Sequence, residues 1–146
     1  MEHYNCLDAV KNCRTDVIFV LDSSGSAGRG NWDLLVDVIA EFVTEFGIQG
    51  DSTRVGVVTY SSKVADSFNL DAYSSTDSLQ QAISSLPFTV GSTNTAAALQ
   101  HVRTNMLTSE AGDRSFAPNL VLVLTDGYSN DPTATMVSIQ IVQLKQ

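Results

Sequence analysis

The chain has 146 residues, of which 43% are hydrophobic and 16% charged, and it carries a formal net charge of −8. The length indicates one domain, and the composition is that of an ordinary globular protein. An acidic surface opposes binding to nucleic acid and to anionic membranes. No apolar run approaches the roughly 20 residues of a membrane-spanning helix, so we expect no membrane insertion. Residues 1–14 lack the apolar centre of a signal peptide.

Two cysteines, Cys6 and Cys13, lie in this N-terminal extension ahead of the first predicted strand. No histidine or third cysteine completes a metal-binding set with them. We interpret the pair as a local disulfide, with two free thiols or a partner cysteine elsewhere in the protein as the alternatives. A disulfide would indicate an oxidising compartment.

Strands alternate with amphipathic helices along the rest of the chain. The apolar runs at 15–21 and 119–124 predict strands buried on both faces, with further strands at 54–60 and, as an alternating edge hairpin, at 64–70. Helical periodicity predicts helices at 31–46, 75–86, 95–107 and 133–144. Asn31 is the predicted cap of the first helix and Gly47 its end, and Pro87 ends the second helix.

This order predicts an α/β fold, doubly wound, with a mainly parallel sheet, helices on both faces and one short antiparallel edge strand. Ligands of such folds bind beyond the carboxyl ends of the strands. We therefore expect the loops that follow residues 21 and 124 to share one edge of the sheet, with the loop at 91–95 beside them.

These three loops carry oxygen ligands suited to a hard divalent cation. Asp22, Ser24 and Ser26 follow the first strand, Thr93 precedes a helix, and Asp126 follows the strand at 119–124. Each residue alone has a structural interpretation as a helix cap or a turn residue. Their joint placement on three loops of one sheet edge favours a binding site.

The motifs Asp-x-Ser-x-Ser at 22–26, Gly-Ser-Thr-Asn-Thr at 91–95 and Leu-Thr-Asp-Gly at 124–127 resemble the von Willebrand factor type A (vWA) family from about residue 15 onward. The segments at 19–26 and 54–61 look like its extracellular matrix branch, as in collagen VI and matrilins. The resemblance implies a metal-ion-dependent adhesion site (MIDAS) for Mg²⁺ or Mn²⁺, with Ca²⁺ as a further option. Ser24, Ser26 and Thr93 would bind the cation directly, and Asp22 and Asp126 mostly through water.

By the same resemblance, the function is cation-dependent adhesion outside the cell. An Asp or Glu carboxylate of collagen, another vWA protein or a second copy of this chain would complete the coordination. The chain stops at Gln146, ahead of the last strands and C-terminal helix of such domains, so we interpret 15–146 as a vWA domain lacking them. Residues 119–124 would then form an exposed sheet edge. An intracellular vWA scaffold is the alternative function.

An enzyme is disfavoured by the same residues. A hydrolase nucleophile at Ser26 would require glycine at position 24, where this chain has serine. No motif places His3 or His101 as a base, and a phosphatase built on Asp22 would typically have a second carboxylate at position 24. We therefore expect no catalytic residues.

Overall fold

The computed structural model describes residues 14–46, 48, 52–125 and 140–142. They contain one five-stranded sheet. In chain order its strands are β1 (Thr15–Asp22), β2 (Thr53–Tyr60), β3 (Val64–Phe68), β4 (Asn119–Leu124) and β5 (Gln140–Val142). The strand order across the sheet is β3-β2-β1-β4-β5.

The central strand β1 pairs in parallel with both β2 and β4. The predicted edge strand β3 is antiparallel to β2, which confirms the mainly parallel sheet with an antiparallel edge. At the other edge β5 is antiparallel to β4, so β4 is not the exposed edge expected from the sequence. The helix predicted at 133–144 is wrong at 140–142, because β-branched Ile141 and Val142 suit a strand once a neighbouring strand offers an edge. Residues 133–139 and 143–144 lie outside the described residues.

Three α-helices lie in the described part of the chain: α1 (Arg29–Phe42), α2 (Thr76–Ser84) and α3 (Thr95–His101). Short 3-10 turns at Val43–Glu45 and Ser109–Ala111 complete the helical elements, together with a π-helical turn at Val102–Met106 that continues α3. Among these described residues, no helix is long and apolar enough to cross a membrane.

Two helix boundaries differ from the sequence prediction. Helix α1 begins at Arg29 after Gly28, whose φ of 77° favours glycine, while the side chain of Asn31 donates to the Ala27 carbonyl at 2.8 Å rather than capping the helix. Gly47, the predicted end, lies outside the described residues. The predicted helix at 95–107 is α-helical only through His101, because Leu107 bonds back five residues to Val102.

The core lies on both faces of β1, whose side chains from Val17 to Leu21 are at most 2% exposed. Alternate residues of β1 join α1 and α2 on one face and α3 with its π-helical turn on the other. This burial confirms the helices on both faces and explains the continuous apolar run in the sequence.

Strand β4 is covered unequally on its two faces. Val121 and Val123 are buried on the α3 face, whereas the three leucines on the α1 face (Leu120, Leu122 and Leu124) are only half-buried. Beside them α1 exposes Leu34, Val38 and Phe42 at one-turn intervals, with 63%, 55% and 43% exposure. The Phe42 ring packs edge-on against Phe19 of β1, at 6.4 Å between centroids, so this apolar stripe borders β4.

A buried ion pair fixes the amino end of β1. Arg114 is 7% exposed and Asp16 1% exposed, with 2.7 Å between Arg114 Nη2 and Asp16 Oδ1. The Arg114 backbone N–H also donates to Asp16 Oδ2 at 2.8 Å, and its guanidinium donates to the carbonyls of Thr15 and Ser52. The pair therefore ties the loop before β4 to the starts of β1 and β2.

We expect Arg114→Met to lower the free energy of unfolding by about 3–5 kcal/mol, because it leaves a buried carboxylate without its cation. Chemical denaturation monitored by circular dichroism measures the change. The matched control is Arg29→Met, since Arg29 contacts Asp33 only at the 4.0 Å limit and both side chains are exposed. Equal stabilities of the two variants would contradict this role for Arg114.

Candidate metal centre

Asp22 is the last residue of β1 and is 2% exposed. Its Oδ1 accepts the backbone N–H of Ser24 at 2.8 Å, and its Oδ2 accepts the hydroxyl of Thr125 at 2.6 Å. Both carboxylate oxygens are therefore already bonded to protein donors. This geometry suits a carboxylate that orients neighbouring ligands and reaches a cation through water.

The hydroxyls of Ser24 and Ser26 lie 3.0 Å apart. In an octahedron with Mg–O bonds of roughly 2.0–2.1 Å, adjacent oxygens are about 2.9 Å apart. The two hydroxyls, which are within hydrogen-bond distance of each other, thus also have the spacing of neighbouring ligands on one small cation. Ser24 is fully buried whereas Ser26 is exposed, so the pair spans the boundary between the protein interior and solvent.

Thr93 lies in the loop between α2 and α3 and is 4% exposed. The loop is held on the turn after β2, where the backbone N–H of Asn94 donates to the Ser61 carbonyl at 2.8 Å and that of Ser92 to Ser62 Oγ at 3.0 Å. The Asn94 side chain caps α3 by accepting the Ala97 N–H at 3.1 Å. No hydrogen bond of the Thr93 hydroxyl to another described residue is found, which leaves that oxygen available as a ligand.

The loop after β1 and the loop that carries Thr93 are directly joined. The backbone N–H of Gly25 donates to the Gly91 carbonyl at 3.0 Å, two residues before Thr93. Gly91 also lies close to the turn after β2, because a Cβ there would be 2.6 Å from Ser62 Oγ. The structure therefore brings Asp22, Ser24 and Ser26 together and holds the Thr93 loop against them.

Asp126, Cys6 and Cys13 lie outside the described residues, so the cation role of Asp126 and the disulfide remain predictions. The residue before Asp126 is Thr125, whose hydroxyl reaches Asp22. Thr125 was not predicted as a site residue, although it forms part of the Leu-Thr-Asp-Gly motif. A hydroxyl one position before a predicted cation-binding aspartate was the available signal.

The candidate donors in the described residues are mainly neutral. Three hydroxyls accompany one carboxylate, and no three His, Cys, Asp or Glu side chains of the described residues cluster to hold a metal. Uncharged oxygen donors suit a hard cation such as Mg²⁺ and leave most of its positive charge available to a further ligand.

The family model for the von Willebrand factor type A domain matches residues 16–146 of this chain. Collagen alpha-4(VI) chain of Mus musculus is 33% identical over 80% of this chain and 5% of its own length. The transmembrane cell adhesion receptor mua-3 of Caenorhabditis elegans is 36% identical over 81% of this chain and 3% of its own length. The von Willebrand factor A domain-containing protein 1 of Danio rerio is 37% identical over 82% of this chain and 24% of its own length. The chain thus spans less than a quarter of each of these relatives.

Solved structures of proximal thread matrix protein 1 from the mussel byssus share the fold. One superposes with a TM-score of 0.75 and 26% identity over 84% of this chain and 33% of that chain. Another, with a zinc-occupied MIDAS motif, superposes with a TM-score of 0.73 and 28% identity over 83% of this chain and 31% of that chain.

We expect Gly91→Ala to destabilise the protein more than Gly25→Ala. A Cβ at position 91 would also meet Ser61 Oγ at 3.2 Å, whereas at position 25 the nearest atom is a methyl of exposed Val90 at 3.2 Å. The expected cost for position 91 is about 1–3 kcal/mol. Thermal unfolding of the two variants without added metal measures the difference, and a larger loss for Gly25→Ala would contradict the packing described here.

Proposed function

Because this chain belongs to the von Willebrand factor type A domain family, we propose that it is a non-enzymatic binding module that depends on a divalent cation. Ser24, Ser26 and Thr93 are the proposed direct ligands, and Asp22 and Asp126 support them through water and hydrogen bonds. A carboxylate of a partner protein completes the coordination.

The observation that carries this proposal is the 3.0 Å spacing of the Ser24 and Ser26 hydroxyls beside a carboxylate that is already bonded twice. A structural turn would require only the bond from Ser24 N–H to Asp22. The hydroxyl pair adds two oxygens that are hydrogen-bonded to each other at a separation that also fits adjacent ligands of a small octahedral cation.

Mg²⁺ is the proposed resident cation, with Mn²⁺ as its closest substitute. Both accept hydroxyl and water oxygens, and Mg²⁺ keeps several waters while protein ligands fill the other positions. Ca²⁺ is larger and binds six to eight oxygens, whereas three hydroxyl ligands suit Mg²⁺, which keeps several of its waters. The zinc in the mussel protein's MIDAS supports a divalent cation at the matching position here.

The proposed partner is a matrix protein that presents an Asp or Glu side chain. Relatives of this chain include a collagen VI chain and a cell adhesion receptor, which supports an extracellular role. The net charge of −8 would repel an acidic partner at long range, so the cation would be needed to make the contact attractive. Self-association through the same site is the alternative within this proposal.

We expect Mn²⁺ or Mg²⁺ at 100 times its dissociation constant to stabilise the protein by about 2.7 kcal/mol, because the cation binds the folded site alone. Thermal unfolding with the metal and with EDTA measures this as a shift of roughly 10 °C. Thr93→Val and Ser24→Ala should lose most of the shift, since each removes a direct ligand.

The control is Ser85→Ala, which removes an exposed hydroxyl that bonds the Gln81 carbonyl at the end of α2. This variant should keep the full metal response. An absent response in the unsubstituted protein, or an undiminished one in both ligand variants, would contradict the proposed function.

A further inference from the structure

Ser23 lies between the proposed site residues Asp22 and Ser24 and is fully buried. Its position in the loop after β1 turns its side chain towards the loop that carries Thr93, where it meets Thr89. The Ser23 hydroxyl donates to the Thr89 carbonyl at 3.2 Å and accepts the Thr89 backbone N–H at 3.3 Å. It also contacts the Thr89 hydroxyl, which in turn donates to Ser61 Oγ at 3.4 Å.

One side chain therefore bonds both backbone polar groups of one residue in the neighbouring loop. We name this set of contacts between Ser23 and Thr89 the hydroxyl clamp. The backbone of Ser23 is fixed as well, because its N–H donates to the carbonyl of Tyr60 at 2.8 Å. Since the Ser23 backbone is hydrogen-bonded to the end of β2, the hydroxyl clamp also fixes the position of the Thr89 loop relative to β2.

The Tyr60 side chain holds the other end of the same loop. Its buried phenol lies 3.0 Å from the hydroxyl of Thr95, two residues after Thr93. The segment with Thr93 is thus fixed on one side through Thr89 and on the other through Thr95. Both attachments lead back to the carboxyl ends of β1 and β2, where the serine ligands begin.

We propose that Ser23 is a positioning residue that sets the distance between the Ser24–Ser26 hydroxyl pair and Thr93, an inference that rests on the proposed function. The clamp consists of protein–protein hydrogen bonds alone, so it does not require a bound cation. Groups that orient metal ligands without touching the metal typically change metal affinity by 10–100-fold when they are removed.

The test compares Ser23→Ala with Thr59→Val. Thr59 is a matched control, because its buried hydroxyl also bonds both backbone groups of one residue, Asp66, at 3.5 Å to the carbonyl and 3.1 Å from the N–H. That contact joins β2 to β3 and holds neither ligand loop. Mn²⁺ affinity should fall roughly 10-fold in Ser23→Ala and change less than 2-fold in Thr59→Val.

A second readout separates positioning from general stability. Water-proton relaxation counts the waters on bound Mn²⁺, and this count should rise by about one in Ser23→Ala because Thr93 no longer reaches the ion. A purely structural role would lower the unfolding temperature of the metal-free protein and leave the water count unchanged. Unchanged affinity and water count in a folded Ser23→Ala variant would overturn the inference.

If Ser23→Ala does not fold, hydrogen exchange of the Thr89 amide in the unsubstituted protein tests whether the hydroxyl clamp forms without metal. Protection without metal is expected, whereas an amide that is protected only after Mn²⁺ is added would overturn the inference. Failure of the unsubstituted protein to bind Mn²⁺ would instead overturn the proposed function and this inference with it. Binding by the unsubstituted protein with no effect of Ser23→Ala would overturn the inference alone.

Discussion

The parallel register of β1 with its two neighbours determines where the loops that follow these three strands begin. Asp22 pairs with Tyr60 of β2, and Leu21 pairs with Leu124 of β4, so three strands end at the same level. Because parallel strands place their following loops at one edge, the chain needs no long excursion to assemble the site. Packing on both faces of β1 holds this register, since a shift by one residue would exchange the side chains that fill its two core clusters.

The Asp16–Arg114 pair acts at the opposite end of the same strand. It joins residues that are 98 positions apart in the chain and anchors the loop that leads into β4. A buried ion pair therefore holds the loops at the amino ends of the parallel strands, and hydroxyl hydrogen bonds hold the loops at their carboxyl ends. The hydroxyl contacts add no charge beside the candidate cation site.

Strand positions and the edge that carries the site were predictable from the sequence, because a buried parallel strand requires a continuous apolar run. The candidate cation ligands were chosen from motif spacing and family resemblance together, and their role in binding a cation stays a prediction. The change from α-helix to π-helix at the end of α3 could not be predicted from the sequence. Val102 and Met106 have helical spacing in either geometry, and packing decides between the two. Met106 lies over Gly56, where a Cβ would be only 3.1 Å from its methyl group.

The hydrogen bonds between Ser23 and Thr89 also could not be predicted from the sequence. Ser23 and Thr89 are 66 residues apart, and nothing in a serine or threonine alone indicates which distant backbone it will bond. Strand β5 was missed for a related reason, because a short β-branched segment takes its conformation from the strand edge beside it. Local patterns indicate candidate ligands and core residues, whereas the contacts that align them depend on the assembled sheet.

The apolar stripe of Leu34, Val38 and Phe42 has a consequence for behaviour in solution. It lies on the same helix as the exposed acids Asp37 and Glu41, in a chain whose net charge of −8 makes copies repel one another electrostatically. That repulsion is screened beyond about 10 Å at 0.1 M salt, whereas attraction between apolar surfaces is not weakened by such screening. We therefore expect added salt to favour association of copies through the apolar stripe on α1. This effect does not depend on whether a cation is bound at the carboxyl end of β1.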